Sequence, residues 1–436
     1  MKRLDWNTLD EAARRDALAR PTQARALELQ QGVARIVAQV RAHGDRALRE
    51  LSATYDRCAL DAIEVTEAEF VIAEKALDPA LKAAIHEAAG RIEIYHRAAA
   101  PQPVGVDTAP GVRVERMLRP ITRVGLYVPA GSAPLPSTAL MLGVPAKIAG
   151  CREVVLCSPA RADGRCDEAV LYAARVTGVH RVFKLGGAQA IAAMAYGTAT
   201  IPKCDKLFGP GNAWVTAAKL QVAADPAGAA ADLPAGVTEV LIVADASARA
   251  DFVAADLLAQ AEHGVDAQAL LVTDAPALAT AVAGEVERRR GALSRGAILA
   301  GSIPHMRAIV VESIGAAIEV ANTYAPEHLL LQVREPRAWL DSVRNAGAVF
   351  LGAWSPESVG DYCAGPNHTL PTYGYARSHS GLGLEDFQKR ITVQELDPAG
   401  LSRLAGATRT LAALEGLDAH AAAVTVRLEA LEAVRG

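Results

Sequence analysis

Val124-Gly125-Leu126-Tyr127-Val128-Pro129-Ala130-Gly131-Ser132 reads as a short apolar strand that runs straight into a loop of small residues. A run this short, apolar at successive positions, fits a strand covered on both faces, as in a parallel sheet. The same unit recurs downstream at 154–157, 182–185 and 206–208, with helical stretches between, so the segment reads as βαβ units ending near residue 234. A second series follows at 240–243, 269–273, 308–311, 329–333 and 349–351. Upstream, 21–99 carries apolar residues such as Leu27, Ile36, Val37 and Val40 at spacings of three or four, the helical period. Beyond 372 a Gly- and Ser-containing loop, 373–383, leads into a helical tail.

The fold expected is α/β, with two Rossmann-like parallel-sheet domains, a helical N-terminal segment and a C-terminal helical tail. The expected divisions are 1–120, helical and packing on the second α/β domain; 121–235, the first domain; 236–376, the second; and 377–436, the tail. Composition agrees. With 51% hydrophobic and only 22% charged residues the chain is globular, and 4% aromatics means cores of small aliphatic side chains. A net charge of −4 without a dense Lys/Arg run excludes a nucleic-acid footprint. The six cysteines form no Cys-x-x-Cys pair, which fits free thiols in a reducing cytoplasm. Residues 1–16 are charged, unlike a secretion signal, and no stretch approaches the roughly 20 apolar residues of a membrane span.

Three strand ends in the first domain enter loops rich in small residues: Pro129-Ala130-Gly131-Ser132, Gly186-Gly187-Ala188-Gln189 and Gly209-Pro210-Gly211-Asn212. Each precedes a helix, so they could cradle an anionic dinucleotide or simply make tight turns. The G-x-G-x-x-G fingerprint is absent, since Trp214 stands where the third glycine belongs. In the second domain a helix is expected over 248–263, capped by Ser247 and stopped by Gly264. Gln260 and His263 then share a face of its last turn, as metal ligands or as a surface pair. Glu327 and His328 follow Pro326, two proton-transfer groups that serve one site only if they precede regular strand pairing. Asp361 and His368 flank Gly365-Pro366-Asn367 in an expected loop; with Gln260 and His263 they would supply N and O donors for Zn²⁺ or Mn²⁺ without thiolate. Glu415 and His420 in the tail read by themselves as a solvated helix face. Cys157 sits at a buried strand end with nothing to lower its pKa, so a nucleophilic role is rejected.

Taken in order, these pieces carry more than each alone. Leu4-Asp5-Trp6-Asn7, Val124-Gly125-Leu126-Tyr127, Gly186-Gly187-Ala188-Gln189-Ala190, Phe208-Gly209-Pro210-Gly211-Asn212, Gln260-Ala261-Glu262-His263-Gly264, Ala325-Pro326-Glu327-His328, Gly360-Asp361 and Asn367-His368 together resemble the histidinol dehydrogenase pattern over essentially the whole chain. The resemblance implies one zinc per subunit on Gln260, His263, Asp361 and His420, with Glu327 and His328 as the acid/base pair. His328 would take the alcohol proton, and Glu327 would activate water against the aldehyde. It implies substrate contacts from Thr238, His368 and Glu415 besides the ligands and His328, and NAD⁺ held by Tyr127, Gln189 and Asn212. It further implies a homodimer whose C-terminal tail crosses to the partner and completes its site. The activity implied is cytoplasmic four-electron oxidation of L-histidinol through L-histidinal to L-histidine, the last step of histidine biosynthesis. One departure stands out: Val237-Thr238-Glu239 replaces the common Pro-Ser-Glu, which keeps the hydroxyl but adds a methyl and a stiffer χ1. Rival readings are an NAD-dependent dehydrogenase of another small alcohol such as a sulfonated diol, a metal-dependent hydrolase, and a catalytically silent homologue.

Overall fold

The structure, a computed structural model, describes residues 1–20, 26–130, 133–234 and 236–435. The first residues of the expected helical lead-in, 21–25, and Gly131 and Ser132 of the first small-residue loop lie outside the described residues. Two compact units are formed, Met1–Ala99 with Ile121–Phe387, and Ala100–Pro120 with Gln388–Gly436.

The larger unit opens with β1 (Lys2–Asp5) and α1 (Glu11–Ala17), followed by α2 (Ala26–Leu51), α3 (Glu67–Ala76) and α4 (Pro79–Ala98). Side-chain caps start the later two: Thr66 and Glu69 make a reciprocal capping box on α3, and Asp78 accepts from Ala80 N on α4. After β2 (Val104–Ala109) and β3 (Val112–Pro120), which belong to the smaller unit, comes the first α/β series. It comprises β4 (Arg123–Tyr127), α5 (Pro136–Ala149), β5 (Glu153–Ser158), α6 (Glu168–Val176), β6 (Arg181–Lys184), α7 (Gly187–Tyr196), β7 (Lys206–Phe208), α8 (Ala213–Ala224) and β8 (Ala230–Ala231). Its strands pair in parallel in the order β6-β5-β4-β7-β8.

The second series runs through β9 (Glu239–Ala244), α9 (Ala250–Ala261), β10 (Gln268–Thr273), α10 (Pro276–Arg290), α11 (Gly296–Ser302), β11 (Arg307–Val310), α12 (Ile314–Tyr324), β12 (His328–Gln332), β13 (Ala348–Leu351) and α13 (Glu357–Tyr362). All six strands of this sheet are parallel, in the order β1-β11-β10-β9-β12-β13. Every residue of β9, β10 and β12 is buried. Val240, Ile242 and Ala244 enter one hydrophobic layer and Leu241 and Val243 the other, so a near-continuous apolar strand is needed to face both. Each fully buried Val, Leu or Ile contributes about 1.5–3 kcal/mol to holding the layers together.

The expected packing of 1–120 on the second domain holds only at its start, where β1 extends the six-stranded sheet beside β11. Val33, Ile36, Val40 and Leu48 of α2 instead share a core with Ile191 and Met194 of α7, while α3 and α4 pack on α6 and α5. The reason is geometric: the first sheet needs cover for the apolar helices on its face, and the amphipathic α2 supplies it.

In the smaller unit, β14 (Gln388–Leu396) pairs antiparallel along the whole of β3, from Gln388 opposite Pro120 to Leu396 opposite Val112, and β2 adds on the other side. The helices α14 (Pro398–Leu414) and α15 (Asp418–Arg435) pack on each other. The tail therefore begins with a strand, and 100–120 belongs with it. Among the described residues no helix is long and apolar enough to cross a membrane.

Candidate active site

Glu327 and His328 lie where α12 gives way to β12. Ala325 ends the helix in the left-handed region (φ 54), unusual for a residue with a Cβ, and Pro326 prevents the helix from resuming. His328 is the first paired residue of β12 and Glu327 stands just before it, so both side chains reach one place, with Glu327 Oε2 3.7 Å from His328 Nδ1. The opposite-face objection to an adjacent pair is thereby met.

Both residues are held from the start of β9. Thr238 Oγ1 donates to Glu327 Oε2 at 2.5 Å, and the Glu239 backbone N–H donates to the same oxygen at 2.9 Å. The Glu239 carbonyl lies 3.2 Å from His328 Nδ1, which fixes the proton on that nitrogen and leaves Nε2 with its lone pair. Nε2 is buried, has no hydrogen-bond partner among the described residues, and lies 3.7 Å from Asp361 Oδ1. Burial pushes the His328 pKa down to about 3, so the ring is a neutral proton acceptor. Burial raises Glu327 well above the carboxylate range, against the opposing pull of its bonds to Thr238 and Glu239.

A second acid, Glu357, opens α13 and is 1% exposed. It sits four residues before Asp361, on the same helical face. His263, Glu357 and Asp361 each offer a ligand atom, and all three atoms lie within 4.8 Å of one another. Gln260, fully buried, joins them: turned to face the acid, its nitrogen donates to Glu357 Oε1 at 2.7 Å, and its oxygen lies 2.9 Å from Thr238 Oγ1. Burial raises Asp361 to about 7 and Glu357 well above its ordinary value, with neighbouring carboxylates adding to the rise in Glu357. Burial likewise lowers His263, and it lowers His368 to about 4. His368 is held by the Asp361 carbonyl at 3.1 Å and reaches Thr138 Oγ1 of α5 at 3.3 Å, which ties this cluster to the first α/β series. A cavity of about 280 Å³ opens beside the cluster, lined by His328, Asp361, His368, Phe350 and Trp354 among others.

Local expectations about two helices are corrected. Asp361 lies on a short helix rather than in a loop, because Glu357 to Tyr362 complete a single turn before Gly365. The helix bearing Gln260 spans Ala250–Ala261; Ser247 bonds Asp245 instead of capping it, and His263 falls just past its end. Glu415 and His420 lie in the smaller unit, both exposed there. Cys157 is fully buried, and burial raises its thiol well above the ordinary value. The residue that sequence reasoning missed is Glu357; the i,i+4 spacing to Asp361 was its available signal, and its burial was not.

A second cavity, of about 460 Å³, lies beyond the carboxyl ends of the first sheet, between Tyr127, Gln189, Asn212 and Trp214 on one side and Tyr55 and Asp56 on the other. Tyr127 accepts from Gly187 N through its hydroxyl, Gln189 donates to Asp56 Oδ2 at 3.3 Å, and Asn212 caps α8 by accepting from Trp214 N and Val215 N. Gly209 is fixed at both its polar backbone atoms: its N–H donates to Asp232 and its carbonyl accepts from Lys219, two buried side chains that pair with each other. At φ 123 this position favours glycine, and a Cβ there would stand 2.1 Å from the Tyr127 carbonyl oxygen.

Two open parallel sheets, one with a cleft at its carboxyl ends and the other with a buried cluster of neutral imidazole and carboxyl groups, define an α/β enzyme. Comparison with known proteins identifies the kind. The family model described as Histidinol dehydrogenase matches residues 18–428. A histidinol dehydrogenase of Xanthomonas axonopodis pv. citri is 56% identical over 428 residues, 98% of this chain and 99% of that one. One from Vibrio parahaemolyticus is 51% identical, with 99% of each chain covered. The crystal structure of histidinol dehydrogenase from Elizabethkingia anophelis superposes with a TM-score of 0.95 at 41% identity, covering 99% of both chains. The chain belongs to the histidinol dehydrogenase family, oxidoreductases of histidine biosynthesis.

Proposed function

We propose that the protein oxidises L-histidinol through L-histidinal to L-histidine, as a cytoplasmic, zinc-dependent and NAD⁺-linked homodimer. The observation that carries this reading is the convergence of His328, Glu327 and the donors of Asp361 and Gln260 on one largely buried place, with His263 at its exposed rim.

The donor set suits the ion. It is made of nitrogen and oxygen without thiolate, as zinc or manganese sites commonly are. Three carboxyl groups are raised and three imidazoles lowered by burial in the same place, an arrangement that a divalent cation relieves by favouring carboxylate and neutral ligand imidazole together. Gln260, His263 and Asp361 would hold zinc, with His420 of the partner subunit as the fourth ligand. Bound there, the ion would supply a fixed positive charge to hold a substrate rich in nitrogen donors. NAD⁺, in the cleft of Tyr127, Gln189 and Asn212, supplies the hydride acceptor.

The rest belongs to the chain's own groups. His328 Nε2 takes the alcohol proton, because Nδ1 is committed to the Glu239 carbonyl. Glu327 then orients and deprotonates water against the aldehyde, with Thr238 and the Glu239 N–H holding its carboxylate. Thr238, His368 and Glu415 of the partner subunit contact the substrate. Burial keeps bulk water from the aldehyde between the two oxidations. The test is stoichiometry: metal-loaded protein given histidinol should form about two NADH per substrate, as the loss of two hydrides requires. A count near one would mean that the aldehyde escapes, and none would end the histidinol reading.

A further inference from the structure

Glu239 touches both members of the proton-transfer pair with its backbone, yet its side chain points away from them into a buried polar anchor. Its carboxylate is 1% exposed and accepts from Arg20 Nε at 2.6 Å, from Arg20 Nη2 at 2.9 Å and from the Tyr324 hydroxyl at 2.8 Å. The Arg20 guanidinium is stacked 3.8 Å from the Tyr324 ring centre and is itself 14% exposed. Its Nη2 also donates to the Tyr324 carbonyl at 2.8 Å, at the end of α12 just before Ala325, Pro326 and Glu327. One guanidinium thus joins the start of β9 to the turn that carries Glu327 and His328.

A buried ion pair is a weak source of net stability, because desolvating two charges offsets most of their attraction. This one instead fixes geometry. Resting on the reading of His328 as proton acceptor and Glu327 as water-activating group, we propose that Arg20, through Glu239, is a positioning residue that sets both. With Glu239 pinned, its carbonyl holds the His328 ring in the Nδ1–H form and its N–H fixes the Glu327 carboxylate. Tyr324 completes the anchor by donating to Oε2, the oxygen that also accepts from Arg20 Nε. Glu327 Oε2 and Glu357 Oε1 each lie 3.7 Å from His328 Nδ1, too long to replace the 3.2 Å carbonyl contact.

The test is a double-mutant cycle on the intact, zinc-loaded enzyme, with Arg20→Ala and Arg20→Lys each combined with His328→Asn. Arg20→Ala is expected to lower kcat for histidinol by about 10- to 100-fold, the cost of displacing reacting groups by a fraction of an ångström to an ångström. KM for histidinol and zinc content should stay near the parent values. Arg20→Lys keeps the charge but loses the two-pronged bond, so it should recover only part of the rate. In the His328→Asn background the same changes should cost less, because the part that acts through the His328 ring is already lost and only the part through Glu327 is left. Methylguanidinium in solution should partly restore kcat to Arg20→Ala. Should Arg20→Ala fail to fold, Glu239→Gln takes its place in the same cycle. Full additivity with His328→Asn, or a parent-like kcat in Arg20→Ala, overturns the proposal. Retention of activity by His328→Asn alone would overturn the underlying reading instead.

Discussion

Replacing His328 with Asn tests the centre of the mechanism, and the structure sets the size of the effect. The ring makes one close hydrogen bond, Nδ1 to the Glu239 carbonyl, and the Asn amide can donate in its place. The fold should therefore lose little, about 1 kcal/mol for one altered hydrogen bond in a buried setting. The chemistry loses Nε2, which is buried, unpartnered and neutral at working pH. A positioned general base contributes about 10²- to 10⁴-fold, or roughly 3–5.5 kcal/mol of barrier. The upper half of that range is expected, because His328 is 3% exposed and water cannot readily reach the place of the lost nitrogen. Initial rates of NADH formation from histidinol give the effect, with elemental analysis for zinc and thermal unfolding as controls. A variant with normal zinc that keeps more than about a tenth of the parent rate would refute the assignment, since no general base is worth so little.

Gly209→Ala should destabilise and weaken cofactor binding together: its φ of 123 is strained for any side chain, and the new carbon would meet the Tyr127 carbonyl oxygen at 2.1 Å. A loss of about 1–3 kcal/mol is expected, seen as a lower Tm with KM for NAD⁺ rising more than KM for histidinol; an unchanged KM for NAD⁺ would separate this loop from the cofactor. His420→Asn should release zinc faster to a chelator, and refolding it together with His328→Asn should restore about a quarter of the parent rate if tails cross within a symmetric dimer; no recovery would place His420 in its own subunit's site or in none. His96, 1% exposed on α4, is pushed below its ordinary pKa by burial. The unfolded chain then binds the proton first as pH falls below about 6.5, so stability declines there with a slope of up to about 1.4 kcal/mol per pH unit. His96→Gln should flatten the slope between pH 7 and 5 in urea unfolding, and an identical slope in variant and parent would show that His96 is not its source.

The strands β4 to β7 and β9 to β13 of the two parallel sheets could be read to within a residue or so, while the edge strands β1 and β8 could not, and for a physical reason. A strand buried on both faces must be apolar at successive positions, which 240–243 and 269–272 display in the sequence itself. The antiparallel sheet was missed because its partners, 112–120 and 388–396, are far apart in the chain and rich in charge, so neither segment looks like core. Edge residues add to this: β1 is a strand only because β11 lies beside it. Among site residues, Glu327, His328, Gln260, His263 and Asp361 carry their own chemistry and could be picked out by type. Glu357 and Glu239 could not, because what distinguishes them is burial against those residues, and burial belongs to the folded state.

The two sheets use opposite ends, and that division follows from peptide dipoles. In the first sheet the strand order reverses between β4 and β7, and the cleft lies beyond their carboxyl ends, where α7 and α8 begin. Helix N-termini carry partial positive charge and free N–H groups, a setting for the phosphates of a dinucleotide. In the second sheet the order reverses between β9 and β12, yet Thr238, Glu239 and His328 sit at the amino ends of those strands. There α9 and α12 end, beside Gln260 and His263 and before Glu327. Helix C-termini carry partial negative charge, so this end suits a cation rather than a phosphate. An anionic cofactor and a metal-held substrate, as proposed, would each meet the end of a sheet whose helices favour them, before any side chain is counted.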